Sequence, residues 1–189
     1  MNNHFNSDHY PTPKNIIDLM HDKVDNHIVK KVLEPHGGQG HIIEAWPEYR
    51  LIHPKLRSED CSYKPSISID TIEIDPALAA MLRGKGFNVI DSDFLQWPGV
   101  ELYDLIVMNP PFSNGDAHWH HALDVMFNGQ IVGLINAETL RNPYSNSRQR
   151  LVQRLEELNA DIEYIPNAFS DSERKTDVEI AYYICTYKT

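Results

Sequence analysis

Apolar positions recur along the chain in two alternating rhythms, one helical and one extended. Ile16, Ile17, Leu19 and Met20 share a helix face behind Thr12-Pro13, a pair suited to an N-cap and the first helical position. "VKKVLEP" (29–35) reads as a strand centred on Val32 and Leu33, and "HIIEAW" as a helix opening directly after a glycine cluster. Residues 47–66 are polar and broken by prolines, which predicts a loop insertion. "ISIDTIEID" (67–75) is a β-branched strand, and "PALAAMLRGKG" (76–86) a helix that starts on proline and ends on glycine. "NVIDSD" and "LYDLIVMN" follow as strands, "DAHWHHALDVMF" as a helix, "QIVGLINA" as a strand and "SRQRLVQRLEEL" as a helix. Two strands, "DIEYIP" and "VEIAYYICTY", close the chain with no helix between them.

Strands alternating with helices, and strands apolar on both faces, predict an α/β domain with a mostly parallel seven-stranded sheet covered by helices on both sides. The last strand has no helical crossover before it and is expected to run antiparallel. In such a sheet ligands sit outside the carboxyl ends of the strands. The unusual residues fall at those ends: Glu34-Pro35, Glu73-Ile74-Asp75, Asp93-Phe94 and Asn109-Pro110-Pro111-Phe112.

The 189 residues suit a single domain, 1–189, and 41% hydrophobic with 23% charged residues is ordinary for a soluble globular chain. Apolar stretches are strand-sized, no export pattern opens the chain, and Cys61 and Cys185 show no CxxC spacing. A reduced, cytoplasmic protein with no membrane span is expected. The net charge of −10 argues against indiscriminate nucleic-acid binding. Yet "RNPYSNSRQRLVQR" (141–154) holds four arginines and no acid, so either a solvated helix face or a local phosphate-contacting patch lies there.

Gly38 and Gly40 let the backbone approach a ligand closely, although a GxG alone also suits a tight strand–helix turn. Glu73 can accept hydrogen bonds from both hydroxyls of a ribose, and Asp93 from an adenine amino group with Phe94 beside it. No GxxxxGK[ST] loop is present, so the pocket suits a nucleoside rather than a phosphate chain. In "MNPPFS", two consecutive prolines cannot continue a strand, because neither has an N–H and both fix φ. They make a turn, or else a stiff shelf for one amide and one aromatic face. His118 and His121 share a helix face, but with no evident Cys or carboxylate partner they are read as surface or interface histidines, and no metal is expected.

With these residues in this order, the chain resembles a class I S-adenosylmethionine-dependent methyltransferase of the amino-methylating kind, similar to N6-adenine DNA methyltransferases. The resemblance rests on "HYPTPKNIIDLM", "VLEPHGGQG", "TIEIDP", "DSDFL", "DLIVMNPPF" and "PNAFSDSERKTDVEIA". It implies S-adenosylmethionine as cofactor. Thr12 would meet the methionine carboxylate, Glu34 the ammonium, and the backbone at Gly38 and Gly40 the methionine portion. Glu73 would hold the ribose, and Asp93 with Phe94 the adenine. His36-Gly37-Gly38-Gln39-Gly40 stands where the family's pattern "EPSAGTG" has small residues.

An adenine amine is a poor nucleophile, because its lone pair is delocalised into the ring. Asn109 Oδ1 and the Pro110 carbonyl could accept from both its N–H bonds while Pro111 stiffens the shelf. Phe112 offers a stacking face worth ~1–3 kcal/mol per base. Phe169 is a second candidate aromatic at the base, with a core phenylalanine the other reading, and Arg141, Arg148 and Arg150 are candidate phosphate contacts. The expected substrate is DNA adenine in a bacterial or phage-infected cell. RNA adenine, protein glutamine, or a non-catalytic role beside a protein partner are the alternatives. In similar enzymes the recognition domain follows the catalytic one, and this sequence stops after its last strand; a partner supplying target recognition, an enzyme of little specificity, and a substrate other than duplex DNA are the three explanations.

Overall fold

Runs of apolar residues buried on both sides form the middle of the sheet in this computed structural model, which describes residues 11–25, 29–45, 67–166, 168, 169 and 180–187. The strands are β1 (Lys31–Glu34), β2 (Ser68–Ile72), β3 (Asn88–Asp91), β4 (Leu105–Met108), β5 (Gly129–Asn136), β6 (Asp161–Ile165) and β7 (Ile180–Tyr187). They stand in the order β3-β2-β1-β4-β5-β7-β6. The first five are mutually parallel, whereas β7 runs antiparallel to both β5 and β6. The reversed last strand is the one expected from the missing crossover.

Strand alternation divides the core in two. Val32, Leu105, Val107, Val132 and Leu134 point to one face, where Ile16, Ile17 and Met20 of α1 (Lys14–Asp22) and Ile42 and Ile43 of α2 (His41–Glu44) cover them. Leu82 of α3 (Pro76–Lys85) joins the same cluster. Leu33, Ile106, Met108, Ile131 and Ile135 point the other way, onto Trp119, Ala122 and Leu123 of α4 (Gly115–Val125). Beyond the short α5 (Glu138–Arg141), Leu151 and Leu155 of α6 (Asn146–Glu157) extend that layer. Gly133 in β5 makes room for Trp119: a Cβ there would stand 2.9 Å from Trp119 Cζ2 and 2.8 Å from Met108 Cγ. The indole Nε1 donates to the Leu134 carbonyl at 3.0 Å, so the largest buried side chain also satisfies its polar atom.

Two local expectations change. Thr12 does not cap α1. Pro13 is the N-cap residue and its carbonyl accepts from Ile16 and Ile17, while the Thr12 hydroxyl bonds elsewhere. The β2 strand ends at Ile72 rather than at residue 75, because Asp75 N–H turns back onto Glu73 Oε1 at 2.7 Å. Asp75 then caps α3, accepting from Ala77 N and Leu78 N, and Pro76 follows at the first helical position. The expected insertion at 47–66 lies outside the described residues, as does most of the segment 166–181. No helix of the described residues is long and apolar enough to cross a membrane.

The chain lays down β1, β2 and β3 outward in one direction, then returns to β4 on the other side of β1. The carboxyl ends of β1 and β4 therefore flank the point where the strand order reverses, and the loops there diverge to leave a crevice.

Candidate active site

A cleft of ≈ 380 Å³ opens at that crevice, within the range of small-molecule and cofactor sites. Thr12, Glu34, Gly38, Glu73, Asp93 and Phe94 line it. Asn109, Pro110, Pro111 and Phe112 form the opposite wall. Gly40 does not reach it. Its φ of +89° starts α2, and a Cβ would come within 2.9 Å of Phe87, so Gly40 serves the turn and its packing. Of the two readings of the glycine loop, the tight turn describes Gly40 and close backbone approach describes Gly38.

Glu73 holds the loop to the strand end. Its Oε2 accepts from Gly38 N–H at 2.7 Å and its Oε1 from Asp75 N–H at 2.7 Å. Each oxygen retains a second lone pair, so the carboxylate can still accept from a diol while the backbone fixes its orientation. Asp93 uses Oδ1 on Leu95 N–H at 2.9 Å, an Asx-type turn that sets Oδ2 as the other acceptor. Among the described residues no lysine or arginine lines the cleft, which suits an uncharged nucleoside and not a phosphate chain.

Glu34 is the most constrained acid. It is 1% exposed, and its Oε2 finds no hydrogen-bond partner among the described residues. Burial, reinforced by Glu73 and then Glu44, pushes its carboxyl well above the ordinary range. An enclosed carboxyl of this kind is a site for a cationic donor such as an ammonium, which would restore the charged form.

The amide of Asn109 is oriented by Thr12. Its Nδ2 donates to Thr12 Oγ1 at 2.9 Å, so Oδ1 is the acceptor end of the group. Thr12 is 8% exposed, and it ties the segment before α1 to the end of β4. After Asn109, Pro110 is buried, Pro111 half-buried, and Phe112 opens a single 3-10 turn, Phe112–Asn114, that feeds α4. Phe169 does not stand at the cleft surface. It is fully buried and meets Phe112 edge-to-face, centroids 5.4 Å apart, so it braces Phe112 from the core.

The remaining candidates lie beyond the cleft. Arg141 ends α5 with its guanidinium over the Tyr164 ring at 4.1 Å, and Arg148 in α6 sits over Tyr144 at 4.4 Å. Arg150 faces a shallow groove between α4 and α6, where Arg154 is bound to Asp124 at 2.8 Å. Arg154 thus belongs to helix packing.

Two histidines in the wall were not expected there. His36 Nε2 and His118 Nδ1 are 2.8 Å apart, and Phe94 lies nearly parallel to His118 with centroids 6.1 Å apart. His118 is 9% exposed, not a surface residue. Burial is the main cause that lowers its pKa to about 4; Asp93 and Asp116 pull it upward and His121 further down. Burial and then His118 hold His36 well below its usual value. The signal was periodic: Gly115, His118, Trp119, Ala122 and Leu123 are the buried face of α4 at helical spacing. Among the described residues no group of three or more metal-ligating side chains comes together.

No family model matches the chain. A type II methyltransferase, M.CvrRI, from Paramecium bursaria Chlorella virus XZ-6E is 32% identical over 113 residues. That match takes in 58% of this chain and 26% of the viral protein, so the chain spans about a quarter of that relative's length. Among solved structures, the type I restriction-modification methyltransferase subunit from Streptococcus thermophilus superposes with a TM-score of 0.72 at 15% identity, over 95% of this chain and 44% of that one. The 23S rRNA methyltransferase ErmE gives 0.61 at 17% identity, over 95% of this chain and 70% of its own. The chain has the class I methyltransferase fold. In that fold the cleft between β1 and β4 is the crevice just described, and the viral relative agrees with the methyltransferase resemblance read from the motifs. The methyltransferase fold alone leaves the methyl acceptor open, because the two solved neighbours carry names of different substrate systems.

Proposed function

We propose that the chain transfers a methyl group from S-adenosylmethionine to the exocyclic N6 of adenine in DNA. The observation that carries this reading is the shelf at the end of β4, where an amide fixed by Thr12 and a proline-stiffened carbonyl share one cleft wall with Phe112.

The cleft's residues fit the cofactor. Glu34 would receive the ammonium, since its buried Oε2 lacks a donor among the described residues. Glu73 would take the ribose hydroxyls and Asp93 the adenine amine. S-adenosylmethionine or its product occupies solved proteins of this fold; when bound, it supplies an electrophilic methyl group on a sulfonium that leaves as a neutral thioether.

The protein's own part is positioning. Asn109 Oδ1 and the Pro110 carbonyl draw on the two N–H bonds of the target amine and turn its lone pair out of conjugation. Two prolines keep these acceptors from relaxing away, and Phe112 stacks on the extruded base. Holding amine and methyl in line is a proximity effect that needs no strong base. The viral type II methyltransferase, 32% identical over 113 residues, supports DNA as the acceptor.

The test is methyl transfer from labelled S-adenosylmethionine to unmethylated DNA, total RNA and protein, with modified nucleosides identified by mass spectrometry. N6-methyladenine in DNA, absent with Asn109→Ala, is the expected result. Label in RNA or protein alone would overturn the choice of acceptor.

A further inference from the structure

We propose that the two arginine–tyrosine pairs beyond β5, Arg141–Tyr164 and Arg148–Tyr144, form a stacking platform for an unpaired stretch of the DNA strand that flanks the target base. This rests on the proposed DNA reading and adds the state of the strand. Tyr144 is 74% exposed and Tyr164 39% exposed. Rings so open contribute little to the core, yet each has one face fixed by a guanidinium, at 4.4 and 4.1 Å. A fixed, cation-backed ring with exposed surface is the element that single-strand binders use for bases.

Register places Tyr164 at the same edge of the sheet as the cleft. Tyr164 pairs with Ala181 of β7, and Ala181 with Ile135 of β5. Met108 of β4 pairs with Gly133, two residues before Ile135. Tyr164 is thus level with Pro110, three strand spacings away, or ~14 Å across the sheet. A strand whose target base enters beside Phe112 would pass Tyr164 within a few nucleotides, and Tyr144 stands in the turn between α5 and α6 that follows β5.

Charge favours the same occupant. The segment 141–154 carries four arginines and no acid in a chain of net charge −10; with Arg154 held by Asp124, Arg141, Arg148 and Arg150 are the cations that phosphates would meet there. Duplex phosphates would use the arginines but not the rings, because paired bases keep their faces inside the stack. Exposed rings beside the arginines point to unpaired bases.

The experiment measures, on the full chain, affinity for a short single-stranded DNA, the same strand with abasic residues in place of the flanking bases, and the matching duplex. Tyr144→Ala with Tyr164→Ala should weaken binding of the base-containing strand ~10–100-fold, the range that stacking of one or two bases gives. The abasic strand should be unaffected within about twofold, and the Tyr→Phe variants should retain affinity. Equal loss on both single strands would make the rings mere supports for phosphate contacts and overturn the proposal. Unchanged affinity, or a duplex bound as tightly as the single strand, would overturn it too. Methyl transfer and cofactor affinity are followed in parallel. Normal transfer with unaltered strand affinity refutes the platform alone, whereas no transfer to DNA by the unmodified chain refutes the function on which it rests.

Discussion

The two halves of the molecule organise their polar groups differently. On the β1–β2–β3 side, two of the acids that face the cleft are already held by backbone N–H groups, Glu73 by Gly38 and Asp75, and Asp93 by Leu95, while the buried Glu34 Oε2 has no partner among the described residues. On the β4–β5–β6 side, one amide is anchored by a hydroxyl, and Arg141 and Arg148 stand on the open surface over tyrosine rings. The first arrangement is a preformed pocket whose geometry survives without a ligand. The second is a surface with few fixed directions, suited to a partner that brings its own shape. A site so divided should lose binding through one half and turnover through the other.

Asn109→Ala is the most severe test of that division. Removing an acceptor aimed at the reacting amine should lower kcat by about 10²–10³-fold. Cofactor affinity, measured by calorimetry, should change only a few-fold through the lost bond to Thr12. A collapse of cofactor binding along with turnover would show that the two walls act as one unit.

Glu73→Gln attacks the other half. A glutamine has one acceptor oxygen and one NH2, so whichever way it turns, one of the Gly38 and Asp75 N–H groups faces a donor. An unsatisfied buried donor costs ~1–3 kcal/mol, which predicts a cofactor Kd raised ~5–150-fold with a lowered melting temperature. Transfer at saturating cofactor should stay near normal. A kcat loss as deep as that of Asn109→Ala would erase the contrast between the walls.

Acid pH should weaken the cleft through its histidines. His36 and His118 are neutral in the fold, with His118 at about 4 against 6.5 for the free side chain. Their stabilisation is complete above about 6.5, and it is lost as pH falls toward 4, because the unfolded chain takes up protons that the fold refuses. Glu34 slopes the opposite way: its raised pKa favours the fold below the ordinary carboxyl value of 4.5 and costs stability as pH rises through the folded value. Melting temperature against pH should therefore fall on the acid side, and His118→Gln should flatten that limb. Glu34→Gln should flatten the opposite limb. An acid limb unchanged in His118→Gln would assign it to other groups.

Much of the cleft's lining was legible because each of its parts is local. A strand, a glycine loop and an acid within a few residues of each other can be read as a string, and so can an amide followed by two prolines. The misread parts depend on contacts between distant segments. His36 and His118 are 82 residues apart, and only the sheet's reversal between β1 and β4 brings them together. Thr12 suits an N-cap by local preference, but Asn109, 97 residues on, holds its hydroxyl. Of the two places open to Phe169, at the base or in the core, the structure takes the core. Of the two tyrosines, Tyr144 lies inside the arginine-rich stretch and close to its partner Arg148, but Tyr164 stands on β6, and only the packing of that strand brings it under Arg141.

Arg150→Glu probes the rim most gently. Arg150 is exposed at the groove between α4 and α6, where Arg154 is already paired with Asp124, so reversal changes the field without breaking an ion pair among the described residues. Removing a single phosphate interaction should weaken DNA binding ~3–10-fold at moderate salt and reduce the slope of log affinity against log salt by about one. Cofactor affinity should not move, because no arginine of the described residues lines the cleft. The salt series matters more than the single affinity. A weaker complex with an unchanged slope would mean that Arg150 acts through packing, and the rim would then depend on its ring-backed arginines alone.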